Sequence, residues 1–136
     1  MIAKRVLETC LYVDDLEAAK KFYTEVLGLE VITQRADRHV FFRIGDAVYL
    51  LFNPDTTVKV ESTSSGVPTH GAHGPGHVAF RMEEDEYDGW REHLDKHNVA
   101  IEKEYEWPGG GRSIYFRDPA GNSLELATPM TWGIDK

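Results

Sequence analysis

Apolar and polar positions along the chain switch between two periods, and the switches mark out the elements. Leu7, Leu11 and Val13 fall on one side of an alternating run while Glu8, Cys10 and Tyr12 fall on the other, the two-residue period of a strand. The period then lengthens. Leu16, Ala19, Tyr23 and Leu27 recur at helical spacing and predict a helix over 15–27. Asp14 is its expected N-cap, with Glu17 three residues on as in a capping box, and Gly28 supplies the left-handed residue that closes it. Strand-like runs follow at 29–35, 39–44 and 47–53. The same succession then starts again. Val78, Phe80 and Met82 alternate with His77, Ala79 and Arg81, a helix carrying Tyr87, Trp90 and Leu94 is predicted over 84–97, and Asn98 stands where Gly28 stood. Three more strands are expected at 100–106, 112–117 and 122–128.

That recurrence is an internal repeat. RHVFFR at 38–43 and RSIYFR at 112–117 match at an offset of 74, and the stretch 7–31 parallels 76–101. Each copy reads strand, helix, three strands. At these offsets Glu8 and His77 are repeat mates, and Glu125 has Leu51 as its mate. The chain is thus expected to form one domain over 1–136: module one at 5–53, a linker at 54–75, module two at 76–128 and a C-terminal tail at 129–136. The linker is rich in Ser, Thr, Gly and Pro, which predicts a surface connection with the possible role of a lid.

Composition narrows the class without choosing a function. Hydrophobic residues at 41% and charged residues at 28% are ordinary for a folded domain. A formal net charge of −8 opposes binding to a phosphate backbone, and no basic cluster offsets it, so nucleic acid is not an expected partner. No run of about 18 apolar residues is present and the first residues carry no cleavage signal, which leads us to expect a cytoplasmic protein with no membrane association. The single cysteine, Cys10, excludes an internal disulfide and reads as a small strand hydrophobe.

Candidate chemistry lies in the strands. GPGHVAF and DPAGNSLEL each place one potential metal ligand, His77 and Glu125, inside a run that otherwise reads as buried, where an ionised carboxylate is costly unless paired or bound to a cation. Alternation puts Glu125 opposite Leu124 and Leu126, and His39 with Phe41. DPAGNS is a turn that delivers the strand bearing Glu125. WPGGGRS lacks the Lys-Ser/Thr ending of a phosphate loop and reads as a flexible hairpin, with Arg112 and Tyr115 as substrate contacts. His70 and His73 read as part of a solvated linker, or as a further ligand or base.

YVDDLEAAKKFYTEVLGL at 12–29 and YFRDPAGNSLEL at 115–126 together resemble the vicinal oxygen chelate superfamily. That group includes glyoxalase I, bleomycin-resistance proteins, fosfomycin-resistance thiol transferases, methylmalonyl-CoA epimerase and extradiol dioxygenases. The resemblance spans about residues 5–128. It implies an α+β fold of paired βαβββ modules, with sheets curled around a central cavity and helices outside. It also implies a divalent metal held by Glu8, His77 and Glu125, with Glu8 and Glu125 as the catalytic carboxylates, His39, Arg112 and Tyr115 near the substrate, and a homodimer. One His with two carboxylates suits Mn, Mg, Ni, Co or Zn acting as a Lewis acid better than it suits iron. The implied activity is glyoxalase-like: isomerase, lyase or thiol-transfer chemistry on a small oxygenated substrate chelated to the metal. Two alternatives are a metal-free protein that sequesters a drug and an extradiol-type dioxygenase.

Overall fold

The computed structural model describes residues 1–63 and 65–134; Ser64 of the linker and Asp135 and Lys136 of the tail lie outside the described residues. The chain divides into two compact units, Met1–Gly74 and Pro75–Lys136. In the first, β1 (Glu8–Tyr12) leads to α1 (Leu16–Glu25) and to β2 (Glu30–Arg35), β3 (His39–Ile44) and β4 (Ala47–Phe52), followed by a short α2 (Pro54–Thr57) and a 3-10 turn at Val60–Ser62. In the second, β5 (His77–Arg81) leads through a 3-10 turn (Glu84–Glu86) to α3 (Tyr87–Lys96), then β6 (Lys103–Glu106), β7 (Arg112–Arg117) and β8 (Ser123–Ala127), and a 3-10 turn at Pro129–Trp132. The sheets have the orders β1-β4-β3-β2 and β5-β8-β7-β6. In each, the first and last strands pair in parallel and the rest antiparallel. Both units are therefore βαβββ as the repeat implies, and the fold is α+β as the resemblance implies.

One face of each sheet is its core. Val40, Phe42, Tyr49 and Leu51 are buried with Ala19 and Tyr23 of α1 in the first unit. The Tyr49 hydroxyl donates to the Tyr23 hydroxyl at 2.9 Å, which spares both buried oxygens an unpaired state. Ile114, Phe116, Leu124 and Leu126 are buried in the second unit, as are Tyr87 and Leu94 of α3. Each such side chain contributes about 1.5–3 kcal/mol relative to leaving it exposed.

Local chemistry shifts several expected boundaries. The cap of α1 is Asp15, whose side chain accepts from the Ala18 N–H at 3.0 Å; the Asp14 carboxylate is taken instead by the N–H of Asp15. Glu17 then sits in the first turn, where the helix dipole favours it, and forms no capping box. A capping box does open the second copy, between Glu83 and Glu86. It closes a 3-10 turn before α3 starts at Tyr87, three residues later than the pattern implies. Gly28 and Asn98 both adopt the left-handed conformation at the helix ends, with φ of 67° and 58°. Leu7 precedes β1 and is exposed, contrary to its expected place under a helix.

The start of the linker is not a bare connection. Asn53 caps α2 with Pro54 at its first position, and Pro54, Thr57 and Ser62 are buried. Register also corrects one repeat mate. Phe41 faces Leu50 across β3 and β4, as Tyr115 faces Glu125 across β7 and β8. The counterpart of Glu125 is thus Leu50 and not Leu51, because the turn at 118–122 is longer than the one at Gly45 and Asp46. Glu8 faces Val48 as His77 faces Ser123, so those two remain mates.

Candidate metal site

The second unit brings His77 and Glu125 together, and the turn between β7 and β8 is what sets their register. Asp118, buried, accepts from the N–H groups of Ala120 and Asn122 at 3.0 and 2.8 Å and from the Asn122 side-chain amide at 3.0 Å. Gly121 takes φ of 90°, which glycine adopts without strain. The Asn122 side-chain oxygen in turn accepts from the Gly76 N–H at 2.7 Å, and Gly76 O accepts from Ser123 N. One turn therefore fixes the starts of both β5 and β8, the strands that carry His77 and Glu125.

His77 Nε2 lies 3.2 Å from Glu125 Oε2. His77 Nδ1 lies 2.9 Å from the Ser123 carbonyl oxygen, and since a carbonyl only accepts, Nδ1 carries the hydrogen. Nε2 is then left facing a carboxylate, an arrangement that needs a positive charge between them: a proton or a metal ion. Two donors 3.2 Å apart are spaced as ligands of one ion can be at bond lengths of about 2.0–2.2 Å. The backbone anchor on Nδ1 is the usual orienting partner of a metal-bound imidazole. The donor chemistry thus fits a divalent ion.

Glu125 is buried, while the His77 side chain is half-exposed, so the pair is open on the histidine side. The Ser113 hydroxyl donates to Glu125 Oε1 at 2.6 Å, and the Trp107 indole N–H donates to Ser113 Oγ at 2.8 Å. Tyr115, directly opposite Glu125, stacks near His77 with ring centroids 6.4 Å apart. Burial pushes its phenol above the ordinary value, and the neighbouring Glu125 carboxylate raises it further by charge and hydrogen bond. Tyr115 is therefore a protonated phenol beside the pair at neutral pH.

Sequence reasoning did not pick out Ser113 and Trp107. The signal available was that Ser113 shares the face of Tyr115, two residues away on the same strand. Arg112 is on the other face. Its guanidinium lies 3.9 Å from the centre of the Tyr87 ring and pairs with Glu84 at 2.5 Å, so the structure does not bring it to Glu125.

The first unit holds the remaining candidates. Glu8 is exposed at the start of the edge strand β1, on the face shared with Cys10 and Tyr12. His39 stacks on Phe41 at 4.1 Å and lines a cleft of about 460 Å³ together with Gln34, Arg35, Asp37 and Asn53. Arg38 Nη1 lies 2.7 Å from His39 Nδ1; a guanidinium only donates, so Nδ1 accepts and Nε2 carries the hydrogen. Burial, then Arg38 and Arg35, hold His39 below its ordinary value, which keeps it neutral. The Tyr12 hydroxyl is 2.6 Å from His70 Nδ1, and the His70 ring meets Phe52 edge-on at 4.6 Å. Burial and the neighbouring Cys10 push the Tyr12 phenol up to about 12. His73 pairs with Asp55 at 3.0 Å on the surface. Among the described residues, no group of three His, Cys, Asp or Glu side chains stands together as a metal site. Nor, among them, is any helix long and apolar enough to cross a membrane.

The model of the Glyoxalase/Bleomycin resistance protein/Dioxygenase superfamily matches residues 5–126. Among solved structures, the chain is similar to lactoylglutathione lyase from Agrobacterium tumefaciens, at 38% identity and a TM-score of 0.92, over 97% of this chain and 98% of that one. Among curated proteins it is 27% identical to the metallothiol transferase FosB of Staphylococcus saprophyticus, over 85% of this chain and 71% of FosB. It is 28% identical to the glutathione transferase FosA of Serratia marcescens, over 85% of this chain and 74% of FosA.

Proposed function

Because the chain belongs to the glyoxalase/bleomycin resistance protein/dioxygenase superfamily, we propose that it is a divalent-metal-dependent enzyme acting on a small oxygenated substrate joined to a thiol. The observation that carries this reading is the His77–Glu125 pair, 3.2 Å apart with His77 Nδ1 anchored on a backbone carbonyl. In the proposal Glu8 is the third ligand and comes from a second copy of the chain. One imidazole with two carboxylates suits Mn, Ni, Co, Zn or Mg. Bound there, such an ion supplies Lewis-acid polarisation of paired substrate oxygens.

The chain's own residues do the rest. Tyr115 presents a protonated phenol to oxygen atoms beside the pair. Glu8 or Glu125 would take the proton from the carbon that bears sulfur and hydroxyl and return it to the adjacent carbonyl carbon, which turns a hemithioacetal into the thioester of a 2-hydroxy acid; this isomerisation is the favoured reaction. The likeness to a lactoylglutathione lyase at 38% identity over nearly the whole length of both chains supports that choice. A second reading, addition of a thiol to an epoxide, is supported by the likeness to FosB and FosA. All three relatives are named for thiol chemistry, which a drug-sequestering protein does not require.

The experiment uses chelator-treated protein reloaded with Mn, Ni, Co or Zn. It is assayed anaerobically and in air against the hemithioacetal of methylglyoxal and glutathione, fosfomycin with thiols, and catechols. Metal-dependent turnover of the first, independent of oxygen, is the expected result. Metal should also raise the melting temperature, and the double replacement His77→Ala, Glu125→Ala should abolish that rise. An equal rise in the double variant would defeat the assignment, and tight binding of a bulky aromatic drug with no turnover would favour sequestration.

A further inference from the structure

The hairpin WPGGGRS contributes no ligand, yet its geometry is specified closely. Trp107 N donates to Gly111 O at 2.7 Å and Gly110 N to Trp107 O at 2.9 Å, so the loop closes on itself. Gly110 has φ of 105°, a conformation that side chains rarely adopt. A Cβ on Gly111 would stand 2.2 Å from the backbone nitrogen of Thr131, so the loop lies directly against the turn after β8. Arg112 N donates to Thr128 Oγ1 at 2.9 Å, and Thr128 N to Arg112 O at 3.0 Å, which pins the other end. The indole of Trp107 meets Tyr105 edge-on at 4.8 Å.

This anchoring aims one donor. An indole N–H cannot accept, so Ser113 Oγ accepts from Trp107, which turns its own hydrogen toward Glu125 Oε1 at 2.6 Å, with the Tyr115 phenol beside both. Ser113 is fully buried, away from bulk solvent. The two oxygens of Glu125 are thereby given different tasks: Oε1 is held by Ser113, and Oε2 faces His77 Nε2 at 3.2 Å. We infer that the hairpin is a positioning device in which Trp107, acting through Ser113, fixes the Glu125 carboxylate and leaves Oε2 as its ligand atom. The inference rests on the reading of Glu125 as a metal ligand. Trp107 and Ser113 are positioning residues and touch neither metal nor substrate.

Titration of the chelator-treated full-length protein with cobalt(II) tests it, following the heat of binding and the visible absorption of bound cobalt. Loss of an orienting partner typically weakens metal binding about 10–100-fold, and Ser113→Ala and Trp107→Phe should both fall in that range. Both should also alter the cobalt spectrum: Ser113→Ala removes the donor to Oε1, and Trp107→Phe leaves that donor without the indole that orients it. Ser113→Thr, which keeps the hydroxyl, should bind nearly as the wild type does. Trp107→Phe keeps a ring against Tyr105, so a folded variant is at hand if Ser113→Ala unfolds. If the wild type binds cobalt and both variants bind it equally with the same spectrum, the positioning role is overturned while the metal site stands. If the wild type takes up no cobalt, the metal reading fails and this inference fails with it.

Discussion

His39 shows how one side chain's neighbours decide its charge. Burial removes water from the imidazole and the guanidinium groups of Arg38 and Arg35 oppose a proton, so its value in the folded chain lies below the ordinary 6.5. The unfolded chain takes up a proton near 6.5 that the folded chain resists. The contribution of this position is therefore complete above that value and declines as pH falls beneath it. His39→Gln keeps a polar side chain and removes the titration. Lowering the pH from about 7.5 to about 5.5 should then cost the wild type more stability than the variant, as read from urea midpoints. A gap between the two proteins that does not move with pH would show that His39 titrates normally. Residues of this kind are only half legible in a sequence. Alternation placed His39 with Phe41, and His77 and Glu125 on faces opposite the apolar residues that flank them. The side chains that contact them, Arg38 at His39 and Ser113 with Trp107 at Glu125, are set by hydrogen-bond direction and rotamer, which periodicity does not carry. Arg112 shows the converse: counting two residues from Ile114 puts it on the helix side with Tyr87, and its place beside a glycine hairpin concealed that.

At the scale of elements the repeat was readable almost whole, because each copy switches from a two-residue to a helical period and back. What escaped it was length between strands. The turn at 118–122 buries Asp118 and Asn122 in a hydrogen-bonded knot, whereas Gly45 and Asp46 make a tight turn. The difference slips the pairing so that Leu50, not Leu51, stands opposite Phe41. The short α2 was missed for another reason: Asn53-Pro54 is a helix-start signal, but the Ser, Thr and Gly that follow dominate the composition. The glycine hairpin was expected to be flexible, and its contacts are specific. Gly111→Ala tests this directly, since the added methyl would meet the Thr131 backbone nitrogen at 2.2 Å with no flexible side chain to give way. A loss of about 1–3 kcal/mol is expected from overpacking at such a site. Gly109→Ala, where the added methyl would meet nothing within 4 Å, should cost little by comparison. Equal denaturation midpoints for the two variants would show that the hairpin is as loose as its composition suggests.

At the scale of the whole molecule the question is how Glu8 would serve as the proposed third ligand. Glu8 opens β1, an edge strand, and the residues leading into it, Met1, Ile2, Val6 and Leu7, are all more than 70% exposed. Apolar side chains gathered before an unpaired strand edge suit contact with another surface of this chain. The proposal is a homodimer in which one subunit supplies Glu8 and its partner supplies His77 and Glu125. Sedimentation at micromolar concentration should then give a dimer, and a monomer would count against it. Mixing is the sharper test. Glu8→Ala and Glu125→Ala should each be inactive and bind cobalt weakly when pure. If ligands are shared across the interface, a heterodimer of the two variants has one site that lacks both carboxylates and one that lacks neither. With random pairing half the dimers are mixed, so about a quarter of the wild-type activity and of its tight cobalt sites should return after the variants are unfolded and refolded together. If each site is built within one chain, every site in the mixture lacks one carboxylate and nothing returns. Recovery near a quarter, absent when either variant is refolded alone, assigns Glu8 to the partner subunit; no recovery from folded, dimeric mixtures places all three ligands in a single chain.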